Sequence, residues 1–145
     1  MHYFKIFFTV VILFISAGCA SLDCKPITGK ALPGTDTVVV GIYIDKKGYP
    51  QANIDTVRVL PGQKIIFVGP DKFEIFFKDQ ISPIDTQEVR TSNNVITVAI
   101  PKDIFEREQR KQRATTTNEI KELNYRYGIR ANGKITDPNI VITRG

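Results

Sequence analysis

Cys19, Cys24 and His2 supply every thiol and the one imidazole of this 145-residue chain, and all three fall within the first 24 positions. Met1 is the only thioether and Trp is absent. A Ser–His–Asp relay, a His general base and a His-rich zinc or copper centre each need an imidazole in the folded body, and the sequence places none there. Cys24 has no His partner to generate its thiolate, so it reads as a tether thiol. Glu74, Asp79, Asp85 and Glu88 surround Ser82-Pro83. They lack the close Asp/Asn spacing and the Gly of a calcium loop, nothing in their spacing marks a glycosidase pair, and they read as solvated surface carboxylates. The sharpest local feature is the basic cluster Arg107, Arg110, Lys111 and Arg113. It would contact anionic lipid headgroups, cell-wall polymer or an acidic partner protein, although Glu106 and Glu108 partly cancel it and charge runs commonly are solvated faces. No catalytic residue, metal or cofactor is expected.

The first residues carry an address. Lys5 precedes the apolar run Ile6–Ile15, interrupted only by Thr9, and small residues follow at Ser16, Ala17 and Gly18. About ten apolar residues are too few to span a bilayer as a helix, but they suit a secretory signal. Ile15-Ser16-Ala17-Gly18-Cys19 resembles the bacterial lipobox, with Ser16 standing where Leu is usual. Residues 1–18 are therefore expected to be a lipoprotein signal peptide and Cys19 the acylated residue. Each buried acyl methylene contributes roughly 0.8 kcal/mol, so two or three chains hold a protein at the membrane. Ala20 follows the Cys where lipoproteins kept at the inner membrane tend to carry Asp, which points to the outer membrane, facing the periplasm. Cleavage after Gly18 or Ala20 would instead leave a soluble periplasmic or secreted protein, free to form a Cys19–Cys24 disulfide in an oxidising compartment. Retention as an uncleaved anchor would need a longer apolar run.

Residues 19–36 contain Pro26, Gly29, Pro33 and Gly34 without hydrophobic periodicity and read as a flexible tether. From 37 to 145 the pattern changes to short β-branched and aromatic runs. Val38, Val40, Ile42 and Ile44 share one strand face; 56–60 and 64–68 flank Pro61-Gly62, a pair suited to a type II turn. Phe73, Ile75 and Phe77 alternate with Glu74, Phe76 and Lys78, and Ile96, Val98 and Ile100 with Val95, Thr97 and Ala99. Leu123, Tyr125, Tyr127, Ile129 and Ala131 give the longest alternation. Asn132-Gly133 then signals a hairpin, Asp137-Pro138 shapes the approach to the next strand, and 140–143 close the set. About seven strands in about 109 residues predict one all-β sandwich. Residues 103–119 are the exception, a charged helical or loop excursion opened by Asp103 and ended by Thr115–Thr117.

Several of these segments together resemble small bacterial cupredoxin-like domains of the copper-free DP-EP type. The segments are Val38–Ile44, Gly62-Gln63-Lys64-Ile65-Ile66-Phe67, Phe73-Glu74-Ile75-Phe76-Phe77 with Ser82-Pro83, Tyr125-Arg126-Tyr127-Gly128-Ile129, Asn132-Gly133 and Asp137-Pro138-Asn139-Ile140-Val141-Ile142. The resemblance covers most of residues 37–143 and implies a cupredoxin/immunoglobulin-like architecture. It transfers no copper site: type 1 copper needs two His, a Cys thiolate and usually Met, and 129–138 contain neither Cys nor His.

Lys and Arg number 20 against 15 Asp and Glu, a net charge of +5. Export and the absence of a recognition motif argue against nucleic acid as the partner. The expected function is that of a non-catalytic cell-envelope lipoprotein, bound to the membrane through Cys19, whose sandwich meets another envelope component, a protein or an anionic surface. The alternative is a soluble periplasmic or secreted sandwich that binds a small ligand or acts as an enzyme without type 1 copper. A concave pocket with converging polar groups would separate the two. Oligomeric state is not legible at this level.

Overall fold

The computed structural model describes residues 28–30, 35–79, 81–91, 93–112 and 119–144. Cys19, Cys24 and Arg113 lie outside them. The strands are β1 (Thr28–Lys30), β2 (Thr37–Ile44), β3 (Pro50–Ala52), β4 (Thr56–Val59), β5 (Lys64–Val68), β6 (Phe73–Phe77), β7 (Glu88–Thr91), β8 (Val95–Ala99), β9 (Glu122–Ala131), β10 (Lys134–Thr136) and β11 (Asn139–Thr143). One helix, α1 (Ile104–Gln112), stands between β8 and β9. The strands form a seven-stranded sheet in the order β1-β4-β11-β9-β6-β7, with β10 also on β9, and a four-stranded sheet β3-β2-β5-β8. The protein is an all-β sandwich.

Alternation builds the core. Val38, Val40 and Ile42 of β2, Ile65 and Phe67 of β5 and Ile96 and Val98 of β8 point inward from the small sheet. They meet Val57, Val59, Ile75, Tyr125, Tyr127, Ile129, Ile140 and Ile142 of the large one. Phe67 and Tyr127 touch across the interface, ring centroids 5.5 Å apart and tilted by 59°, an arrangement favoured by the quadrupoles of the two rings.

Turn chemistry fixes the registers. Gly62 takes φ +86° and Gln63 N–H donates to the Leu60 carbonyl at 3.1 Å, the type II turn expected of Pro61-Gly62. Asn132 and Gly133, at φ +51° and +73°, make the primed turn between β9 and β10. β10 and β11 continue one register along β9: Lys134 faces Ala131 and Asn139 faces Arg126. Asp137-Pro138 interrupts the ladder between them, as Pro lacks the N–H that a ladder needs. At the far end of that hairpin, Thr136 Oγ1 donates to the Pro50 carbonyl at 2.6 Å, tying β10 to the opposite sheet.

Two findings differ from the expectations, and a third decides between helix and loop for the charged excursion. Four strands are added to the seven, and all four (β1, β3, β7, β10) are only three or four residues long. β1 falls inside the segment read as tether, pairing parallel with β4 from Thr28–Thr56 to Lys30–Arg58. The charged excursion is helical over Ile104–Gln112, and Ile104 and Phe105 are buried. Their burial, worth roughly 1.5–3 kcal/mol for each side chain, ties its first turn to the core. Among the described residues, no helix is long and apolar enough to cross a membrane.

Candidate functional site

Glu74 is the one charged residue that is buried among those described. It sits in the middle of β6, whose other members are Phe73, Ile75, Phe76 and Phe77, on the outward face of the large sheet. Pairing places Arg130 of β9 directly beside it on one side and Arg90 of β7 on the other. Arg130 Nη1 donates to Glu74 Oε1 at 2.7 Å, and Arg90 Nε lies 3.4 Å from Glu74 Oε2. Arg90 also pairs with Glu88 of its own strand. The Arg130 guanidinium lies 4.8 Å from the centroid of the Phe76 ring, a cation–π contact. Phe76 in turn lies over Gly128, its cross-strand partner, where any Cβ would run into the ring.

Burial and the neighbouring Glu88 carboxylate push the Glu74 carboxyl above its ordinary value, against the pull of Arg130 and Arg90. Glu88 moves the opposite way, held down by its hydrogen bonds with Glu74 and Arg90. The two shifts run in opposite directions, so on acidification the proton goes first to Glu74.

Beside this cluster opens a groove of about 440 Å³ lined by Lys72, Glu74, Arg90, Arg130 and the Asn132-Gly133 turn, with Phe73 and Ala131 below. Three cations, Lys72, Arg90 and Arg130, stand against the Glu74 and Glu88 carboxylates, an excess of one positive charge. A guanidinium presents five N–H donors in a planar fork, and the contacts to Glu74 and Glu88 engage only part of each fork. The arrangement suits a carboxylate or phosphate group. Glu74, read from sequence as a solvated carboxylate, is instead the buried member that orients both arginines.

The basic residues on α1 are placed differently. Arg107 pairs with Asp85, Lys111 Nζ with Glu108 at 2.7 Å, and Arg110 with Asp103 at 3.9 Å. A second cavity, about 460 Å³, lies against this helix between Ile81, Asp85, Arg107, Glu108 and Lys111. Two cations there face two carboxylates, so it has no excess charge for a ligand. Asp79 pairs with Arg126 at 3.7 Å. No group of three or more His, Cys, Asp or Glu among the described residues is arranged to hold a metal ion. The buried hydroxyls of Tyr125 and Tyr127 are both held well above the ordinary phenol range by burial.

The outward face of the four-stranded sheet has none of this ionic character. Val39, Ile66 and Thr97 form one row across β2, β5 and β8, and Gly41, Val68 and Val95 the next. Val39, Tyr43, Val68 and Val95 are 56%, 54%, 41% and 43% exposed. Lys64, at one end and 4.0 Å from Asp36, is the only charged residue these rows present.

No protein-family model matches the chain, and no curated protein does. Among solved structures it is similar to one titled "NMR solution structure of copper binding protein in the apo form". The two are 8% identical, the match covers 81% of this chain and 97% of that one, and the TM-score is 0.40. A likeness of that degree says nothing about the site.

Proposed function

We propose that this is a non-catalytic cell-envelope lipoprotein, anchored through Cys19 at the outer membrane, whose copper-free cupredoxin-like sandwich binds an anionic group of another envelope component. The groove of Lys72, Arg90 and Arg130 carries this reading. It gathers three cations around one groove, two of them held by the buried Glu74 on the strands either side of it, a setting for charge-assisted recognition of carboxylate or phosphate. Oriented nucleophile or general-base chemistry has no counterpart beside it. The paired cations of α1 make that helix the weaker contact surface.

Inorganic phosphate titrated into the ¹⁵N-labelled exported chain tests the binding step. Amide shifts confined to residues 72–74, 90–91 and 130–133, and abolished by Arg90→Gln with Arg130→Gln, are the expected result. Shifts centred on α1, or none, would remove the groove from the account. Intact mass of the membrane-purified protein tests the anchor: acyl mass on a chain starting at Cys19 is expected, and its absence in a Cys19→Ser control completes the assignment.

A further inference from the structure

We infer that the groove beside Glu74 selects a monocarboxylate carried on an apolar body over phosphate; the inference rests on that groove being the binding site proposed above. Charge limits the ligand to one negative unit. Lys72, Arg90 and Arg130 stand against Glu74 and Glu88, a surplus of one positive charge. A monoanion brings the cluster to neutrality. A dianion overshoots, and its second charge is set against Glu74, whose side chain is only 11% exposed and so poorly screened by water.

Glu74 itself shows what the two guanidiniums are spaced to hold. It lies between them on the middle strand, and its oxygens go one to each: Oε1 to Arg130 Nη1 at 2.7 Å, Oε2 to Arg90 Nε at 3.4 Å. Arg130 Nη2 and Arg90 Nη1 take no part in the contacts with Glu74 and Glu88. A guanidinium is planar, so these remaining N–H groups share a plane with the ones already engaged. The Phe76 ring, 4.8 Å from the Arg130 guanidinium, fixes one face of that fork. A second carboxylate laid over the row meets the two arginines as Glu74 does, one oxygen to each.

The floor decides what that carboxylate is attached to. Phe73 and Ala131 line the groove beneath its cations, and its volume of about 440 Å³ is in the range that takes a whole small molecule. The turn at its lip leaves the mouth open, since a Cβ at Gly133 would meet nothing within 4 Å. An apolar tail resting on Phe73 and Ala131 is removed from water, and each methylene so covered is worth up to about fourfold in affinity. Bare phosphate gains none of this.

Hexanoate, acetate and inorganic phosphate, titrated separately at constant ionic strength into the ¹⁵N-labelled exported chain carrying Cys19→Ser, read the order of preference. At residues 72–74, 90–91 and 130–133, hexanoate should half-saturate at least about tenfold below both acetate and phosphate. Glu88→Gln raises the surplus to two charges at a side chain that is 38% exposed, so the fold is kept. It should move the affinity ratio at least about threefold toward phosphate. Phosphate binding as tightly as hexanoate, acetate matching hexanoate, or a ratio that Glu88→Gln leaves unchanged would overturn the inference while the groove remained an anion site. Shifts outside the groove, or none with any of the three anions, would overturn the inference and the proposed site together.

Discussion

The sandwich has two outward faces, and they solve opposite problems. On the large sheet the exterior is a lattice of charge in which Arg90, Glu74 and Arg130 stand in a row across β7, β6 and β9. On the small sheet the corresponding positions are Val39, Ile66 and Thr97. Both rows come from the same period-two alternation, so backbone geometry cannot explain the contrast. The choice of outward residue does. A charged row needs partners to hold each side chain, and the structure supplies them; a neutral row needs none.

The most damaging way to break this contrast is to remove the space beneath Phe76. Gly128 does not use a positive φ, so its role is room for the ring. Gly128→Ala should cost about 2 kcal/mol by overpacking, and thermal unfolding should show most of that loss vanish in a Phe76→Ala background. Glu74→Ala comes next. It leaves two arginines without their shared carboxylate, and denaturant unfolding should show a loss of about 1–2 kcal/mol, limited by the partial exposure of both cations.

Acid sharpens the comparison further. The Glu74 carboxyl is raised in the folded state, so its proton binds more tightly there and this group's stabilising contribution fades as pH rises through its folded midpoint. Glu88 is lowered, and its contribution fades as pH falls through its own midpoint. Carboxyl-resolved NMR titration should therefore find Glu74 above 4.5 and Glu88 below it. As Glu74 takes up its proton the groove loses a negative charge, and phosphate should bind a few-fold more tightly, a gain within about 1.4 kcal/mol. The small-sheet face should ignore the same change. Smallest of all is the effect of Val39→Lys on the isolated fold, within about 0.5 kcal/mol by denaturant unfolding, since that side chain already faces water.

The strands most legible in the sequence are those long enough to show their alternation. Leu123 to Ala131 reads unmistakably, and so do Pro61-Gly62 and Asn132-Gly133, whose turn types follow from residue identity. β1, β3, β7 and β10 are too short to carry a period; β3 even begins with Pro, and Glu88–Thr91 has Val89 as its one apolar residue. Each pairs with a longer neighbour that offers it a ladder. The groove was hidden for a related reason. Lys72, Glu74, Arg90 and Arg130 converge through strand register, which no local pattern encodes, whereas the α1 cluster is contiguous and conspicuous but its three described members are neutralised by Asp85, Asp103 and Glu108. One local signal did exist: Glu74 is a charge inside Phe-Glu-Ile-Phe-Phe, a place where a solvated carboxylate has little business.

The pairing of β1 with β4 gives an anchored protein a direction. With Cys19 acylated, the leash from the lipid to the first paired residue is 20–27, at most about 26 Å at some 3.3 Å per residue, half of what a free segment to 36 would allow. β1 is one margin of the large sheet and β7 is the other, about 24 Å away across five strand spacings. On the proposed anchoring, the bilayer would hold the molecule by one rim. The arginine groove, on the opposite rim, would then be carried outward like the head of a mooring post, facing whatever the aqueous compartment brings to it.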